Sequence, residues 1–374
     1  MANLRPLNKT ISLVLSQLER LSSQRSSDWV SALDVSPAVE QQVLDMLEQQ
    51  QIIQRTLQRV QLHPQSPVVM GFDLGGTKVK GRLAALDGRI LAQTVQFTRK
   101  GDETAALDQM GQLAGDMLQQ GGVDPRRLQH VAIGIPGAID QQGNVNLSPN
   151  LHLPSRLPPV FTLADGRQCP VTFENDVNLA ALGEYHQGHG QNSDSLVFIA
   201  FGTGVGMGII IQDYIIRGHT GMAGEISLLP LSATPYDDAQ VSACGIFEDR
   251  VGSHAIRQRY PHGDTAVIDI FRQAERGDVQ AKEVMATTAR IAALGVAAAI
   301  SLLNPEWLIL GGGIGARPAF YQQIQHFVHQ LLPMPVQLTG SALGDDAGVI
   351  GAVYLAHQRC LDAIVQADSE RIPV

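Results

Sequence analysis

Cysteine is scarce in this chain. Its 374 residues include three, Cys169, Cys244 and Cys360, scattered and odd in number. Such a set makes no disulfide framework, and a reducing cytoplasm is the expected compartment. Long apolar runs are missing as well. No stretch of about 18 residues is continuously apolar, so no membrane span is expected. The most apolar run, residues 291–303, reads as a buried helix, and the first 21 residues lack the apolar core of a signal peptide. Positive charge is in deficit, with a net charge of −9. Residues 1–64 hold six Lys or Arg (Arg5, Lys9, Arg20, Arg25, Arg55, Arg59) and six Asp or Glu (Glu19, Asp28, Asp34, Glu40, Asp45, Glu48). That segment is neutral, the excess acid falls after it, and bulk charge gives no support to nucleic-acid binding. Two familiar phosphate signatures, GxxxxGK(S/T) and GxGxxG, are also not met by the glycine-rich segments.

Glycine itself is absent from residues 1–64 and frequent afterwards. The change falls at His63-Pro64-Gln65-Ser66-Pro67, which places a domain boundary there. Ahead of it, Ile11, Val14, Leu15 and Leu18 share one face of a helix. Ser27-Asp28 caps a short helix through Leu33. Ser36-Pro37 reads as an N-cap followed by proline at the first helical position, opening a helix to about residue 50 with Val39, Val43, Met46 and Leu47 on one side. Ile52-Ile53 begins a strand. This is the order of a winged helix-turn-helix.

Beyond the boundary, strands alternate with helices. Strands are expected at residues 68–73, 82–86, 131–135, 171–173, 195–201, 207–211 and 307–310. Helices are expected at 104–120, 177–186, 279–303, 318–332 and 347–357. The alternation predicts an α/β protein with a largely parallel sheet and some hairpins.

Three glycine-rich turns carry the candidate chemistry. Asp73-Leu74-Gly75-Gly76-Thr77-Lys78 follows an apolar strand. Its glycines let backbone N–H groups approach phosphate oxygens, Thr77 adds a hydroxyl, and Asp73 suits a hydrated Mg²⁺. The same residues also read as a tight hairpin turn. Gly202-Thr203-Gly204-Val205-Gly206-Met207-Gly208 lies between two apolar strands and suits a second phosphate clamp, since a hairpin needs fewer glycines. Gly311-Gly312-Gly313 ends a strand where a flat ring could lie against the backbone. Finally, Glu174-Asn175-Asp176-Val177-Asn178 ends a strand and opens a helix. A helix N-terminus favours a carboxylate, so Asp176 reads either as a proton acceptor for phosphoryl transfer or as a simple N-cap.

These segments occur in one order together with Gly134-Ile135-Pro136-Gly137, Ser148-Pro149-Asn150-Leu151, Ala223-Gly224-Glu225 and Ala347-Gly348-Val349-Ile350-Gly351. In that order the chain resembles the ROK family (repressors, open reading frames and kinases) of the actin-like ATPase superfamily, over about residues 68–357. The resemblance implies two actin-like, ribonuclease H-like ATPase lobes with ATP and sugar in the cleft. It implies Asp176 as catalytic base, and Gly137, Asn150, Asn175, Asp176, Glu225 and Glu248 as the sugar site. It also implies Asp73, Gly75, Gly76, Thr77, Lys78, Gly202, Thr203, Gly204, Gly206, Gly312 and Gly313 as the ATP and Mg²⁺ site. The expected domains are residues 1–64, then 65–174 joined by the C-terminal helix 346–374, then 175–345. A homodimer is expected on family grounds.

The departures from the family matter equally. Where its members read Gly-Glu-Ile-Gly-His, this chain reads Gly224-Glu225-Ile226-Ser227-Leu228, and leucine cannot ligate a metal. The family's cysteine cluster is reduced to Cys244. A structural zinc site needs about four ligands, so no zinc is expected and Cys244 reads as a small buried residue. His254 and His262 lack partners at ligand spacing. At the front, residues 27–50 line up with the helix-turn-helix of ROK repressors, but the recognition face offers Glu40, Gln41 and Gln42, with Arg55 and Arg59 in the wing. The sequence thus supports an ATP-dependent kinase of a hexose or N-acetylhexosamine, with a sugar-responsive DNA-binding regulator as the alternative.

Overall fold

The computed structural model describes residues 11, 14, 15, 37–56, 60–140, 142–146, 152–242, 244–261, 263–334 and 336–369. The helices expected before residue 36 fall outside the described residues except for Ile11, Val14 and Leu15, which are helical and buried. The first continuous helix, α1 (Pro37–Gln49), starts on its proline, as expected, and buries Val43, Met46 and Leu47. It leads into an antiparallel hairpin, β1 (Ile53–Arg55) and β2 (Val60–Leu62), with Ile53 opposite Leu62.

β3 (Val68–Leu74), β4 (Lys78–Ala85) and β5 (Ile90–Phe97) form a meander, followed by α2 (Ala105–Gln120) and β6 (Leu128–Ile135). A short excursion makes the pair β7 (Ala138–Ile139) and β8 (Val145–Asn146). The chain then returns through β9 (Val160–Thr162) and β10 (Gln168–Asn175). The resulting six-stranded sheet has the order β5-β4-β3-β6-β10-β9, antiparallel between β3 and β4 and parallel between β3 and β6. Every residue of β3 but Asp73 is buried, as in a strand covered on both faces.

The second half begins with α3 (Asp176–Gln187), β11 (Ser195–Phe201), β12 (Val205–Ile211) and β13 (Tyr214–Ile215). A 3₁₀ turn (Ile226–Leu228) precedes the small helices α4 (Pro235–Val241), α5 (Glu248–Val251), α6 (Ser253–Arg259) and α7 (Val267–Glu275). Then come α8 (Val279–Leu303), β14 (Trp307–Gly311), α9 (Gly312–Gly315), α10 (Pro318–Leu331), β15 (Gln337–Gly340) and α11 (Ala347–Ser369). The second sheet has the order β13-β12-β11-β14-β15. α8 has the bounds expected for it, 279–303, with the apolar run 291–303 in its second half. The Asp278 side chain caps its first turn, and Asn304 ends it in the left-handed region at φ 41°. It is the central helix of a core that also takes Phe201, Phe247, Phe271 and Phe320.

The α/β class is as expected. The chain makes two compact units, one of Met1–Ile135, His152–Glu174 and Ala352–Val374, the other of Pro136–Leu151 and Asn175–Gly351. The excursion Pro136–Leu151, expected with the first lobe, belongs to the second unit. Asn175 Nδ2 donates to Gly137 O at 3.1 Å, and Gly221 packs on the Ile139 backbone, where a Cβ would overlap. In the first unit, Gln50 Nε2 at the end of α1 donates to Ile364 O of α11 at 3.1 Å.

Candidate functional site

In the first unit the turn after β3 is a hairpin turn, and its construction leaves its outer edge bare. Gly75 N–H donates to Lys78 O at 2.9 Å, closing the turn. Behind it sits buried Thr98, whose hydroxyl donates to Gly75 O at 2.7 Å and whose N–H donates to Thr77 O at 2.9 Å. Gly76, Thr77 and Lys78 are exposed, and Asp73 is half-buried opposite Lys80 in the ladder. Both readings of residues 73–78 therefore fit one geometry. Thr98 carries no motif of its own, and sequence reasoning did not find it.

In the second unit, the glycines of residues 202–208 divide into two groups with different tasks. Residues 202–204 make the turn between β11 and β12, since Phe201 pairs with Val205. Gly206 and Gly208 are inside β12, which begins at Val205 and not at Met207. A Cβ at Gly206 would lie 2.9 Å from Val177 Cγ2, and one at Gly208 would lie 2.6 Å from Val177 O. Their missing side chains admit α3 against the strand, which accounts for the excess of glycine over a hairpin's need.

The turn 202–204 is fastened at both ends by residues 248–253. Val205 N–H donates to Glu248 Oε2 at 2.7 Å, and Ser253 N–H donates to Gly202 O at 3.0 Å. A side chain at Gly204 would meet the Glu248 carboxylate at 2.7 Å. Gly312 follows β14 at φ 76°, a conformation that favours glycine. A Cβ at Gly202 would lie 3.9 Å from Gly313 N, and one at Gly313 would meet nothing within 4 Å. The second and third glycine turns thus border one open patch of backbone.

Asn175, not Asp176, is the N-cap of α3. It has φ −60° and ψ 136°, and its Oδ1 accepts from Val177 N at 2.9 Å and Asn178 N at 3.0 Å. Its Nδ2 reaches Gly137 O, so one amide holds both the helix end and the loop after β6. Asp176 is the first helical residue, half-buried, with Oδ1 sharing the Val177 N–H at 2.9 Å. The capping alternative for Asp176 is thereby answered.

Glu225 follows Gly224, whose φ of 95° lets its carbonyl accept Met207 N–H at 3.1 Å. Burial pushes the Glu225 carboxyl above its ordinary range, and the negative charge of Glu248 adds to the shift. Burial raises Glu248 too, opposed by its hydrogen bonds from Val205 N–H and the Cys244 thiol. Asn150 lies outside the described residues.

The wall that carries zinc ligands in the family is held here by backbone bonds. Phe247 N–H donates to Ser227 O at 3.0 Å, and Gly245, at φ 107°, packs on the same carbonyl. Leu228 is 47% exposed. Cys244 is exposed, not buried as expected, and its thiol is hydrogen-bonded to the Glu248 carboxylate. His254 is paired with Gln258 at 2.8 Å, and His262 lies outside the described residues. Among the described residues no group of three or more His, Cys, Asp or Glu could hold a metal ion.

A family model described as "ROK family" matches residues 69–359. The glucokinase of Halalkalibacterium halodurans is 29% identical over 316 residues, covering 78% of this chain and 95% of that protein. A ROK family glucokinase from Streptomyces griseus, solved in complex with glucose and AMPPNP, is 27% identical with a TM-score of 0.63, over 78% of this chain and 99% of that one. A ROK family transcriptional regulator, a homolog of the E. coli MLC protein, has a TM-score of 0.74 at 21% identity, over 96% of this chain and 98% of that one. The last likeness is one of fold.

Proposed function

This chain belongs to the ROK family, and on that footing we propose that it is an ATP-dependent sugar kinase that uses Asp176 as its base. The observation that carries the reading is the division of labour at α3: the Asn175 amide caps the helix, which leaves the neighbouring Asp176 carboxylate at the same N-terminus without the capping task. The hydroxyl proton of the sugar passes to the Asp176 carboxylate as its oxygen attacks the γ-phosphorus. The bond from that phosphorus to the bridging oxygen breaks, and its electron pair leaves with ADP.

Gly137, Asn150, Asn175, Glu225 and Glu248 are proposed to bind the sugar. Asp73, Gly75, Gly76, Thr77, Lys78, Gly202, Thr203, Gly204, Gly206, Gly312 and Gly313 are proposed for ATP, with Gly206 acting through the packing of β12 on α3. The donor set of Asp73 and exposed Thr77 suits a hydrated Mg²⁺, whose charge would neutralise the phosphates. No zinc is invoked: Phe247 N–H ties the loop to Ser227 O, and Gly245 packs on the same carbonyl.

The test is ADP release across hexoses and N-acetylhexosamines. The expected result is sugar-stimulated turnover that falls about 10²–10⁴-fold in Asp176→Asn. Absence of stimulation, or indifference to that substitution, would sink the proposal. A second reading, a sugar-responsive transcriptional regulator acting as a homodimer, is favoured by the helix-then-hairpin order of α1, β1 and β2.

A further inference from the structure

Glu184, in the third turn of α3, is fully buried at 0% exposure. A carboxylate without water is costly unless it is hydrogen-bonded or paired. Among the described residues no Lys or Arg forms an ion pair with it. It is held instead by three donors. Ser341 Oγ–H reaches Oε1 at 2.5 Å, Leu343 N–H reaches the same oxygen at 2.9 Å, and His189 N–H reaches Oε2 at 3.2 Å. Two of the three come from the loop after β15, more than 150 residues away in the chain.

That loop sits where ligands bind in sheets of this kind. β11, β14 and β15 run parallel, with Ala200 opposite Gly311 and Leu310 opposite Gly340. Their carboxyl ends therefore deliver three segments to one edge: the turn 202–204, the glycines of α9, and residues 341–346. Ligands of open α/β sheets bind outside the carboxyl ends of strands. The first two segments are already part of the proposed nucleotide site, and the third adjoins α9 through its 3₁₀ turn, Gly344–Asp346. Its own bonds give it one shape: Ser341 N–H donates to Leu310 O at 2.9 Å, and Gly344 N–H donates to Ser341 Oγ at 2.8 Å. Ala342, Gly344 and Asp345 are exposed on it. Gly183, one residue before Glu184, has the Ala347 carbonyl where its Cβ would be, so α3 and the start of α11 are in backbone contact beside the loop.

We infer that Glu184 is a positioning residue for the nucleotide, holding residues 341–346 as a third wall of the site that the turns 202–204 and 312–315 begin. The inference rests on the kinase reading above. One rigid helix then carries the proposed base at its first residue and the anchor of the nucleotide loop two turns later.

The experiment uses the full chain and two variants, Glu184→Gln and Ser341→Ala. The second removes one neutral donor and stays usable if the first does not fold. AMPPNP with Mg²⁺ is titrated by calorimetry, the KM for ATP and for the sugar are measured, and deuterium exchange is followed at residues 341–346. In both variants the ATP KM and the AMPPNP Kd are expected to rise about tenfold, in line with loss of a charge-assisted hydrogen bond. The sugar KM stays within about twofold by the same reasoning, and exchange at Leu343 N–H speeds up. Faster exchange with nucleotide constants unchanged overturns the inference, because the bonds then serve the fold alone. A parallel rise in the ATP and sugar constants overturns it too, as general loosening. Wild-type protein that takes up no AMPPNP overturns the kinase reading and this inference together; wild-type binding without a variant effect overturns only this one.

Discussion

Glu225 and Glu248 illustrate how much a single side chain's surroundings decide. Both carboxyls are raised by burial, yet only Glu248 has a backbone N–H from a glycine turn. The resemblance placed both at the sugar, and Glu248 in fact also fastens the turn 202–204. If ionised Glu225 accepts a sugar hydroxyl, its protonation removes that acceptor. The sugar KM is then expected to rise as pH falls, beginning above the usual carboxylate range. Stability runs the other way, because a carboxyl raised in the folded state gains stability as pH falls through its folded pKa. Measuring the sugar KM from neutral to acid pH checks this, with Glu225→Gln lacking the acid limb. A sugar KM that stays flat until the ordinary carboxylate range would remove Glu225 from the sugar.

At the scale of elements, α3 is the organising piece. Its N-terminus, its face toward β12 and its third turn each do separate work, through Asn175, Val177 and Glu184. Asn175→Ala is expected to cost about 1 kcal/mol as a lost cap. It also releases Gly137 O, so the sugar KM rises along with the drop in thermal stability. A variant that loses stability with an unaltered sugar KM would confine Asn175 to capping. Much of this level was legible in the sequence, because local rules fix it. Pro37 opens α1, and α8 has its expected bounds, 279–303, whereas the cap of α3, which the sequence offers to Asp176, falls on Asn175. Long-range contacts were not legible. Nothing in the sequence ties Thr98 to Gly75, Glu184 to Ser341, or Gly208 to Val177, since each pair meets only after the sheets and helices assemble. The glycines of residues 202–208 look uniform in sequence, and only packing separates turn from helix contact.

For the whole molecule, the regulator reading turns on residues 37–62, the helix α1 and the hairpin β1–β2. Arg55, read from sequence as a wing residue, is bound to Asp45 at 2.6 Å and to Glu48. Its charge is met within this segment, which weakens the electrostatic case for DNA. If the regulator reading holds, the protein is expected to protect a palindromic operator, with release by a sugar and a steep salt dependence. Footprinting checks it, and binding without sequence preference would count against it.

The chain path has one more consequence. The first unit closes only with Ala352–Val374, and the Gly71 backbone of its central strand β3 lies directly against Ala352 and Val353 of α11. During synthesis on a ribosome, β3 emerges more than 250 residues before the helix that covers it. The face of β3 that α11 covers is therefore completed only by a contact between segments far apart in the chain, which makes closure of this unit a late, non-local step in folding.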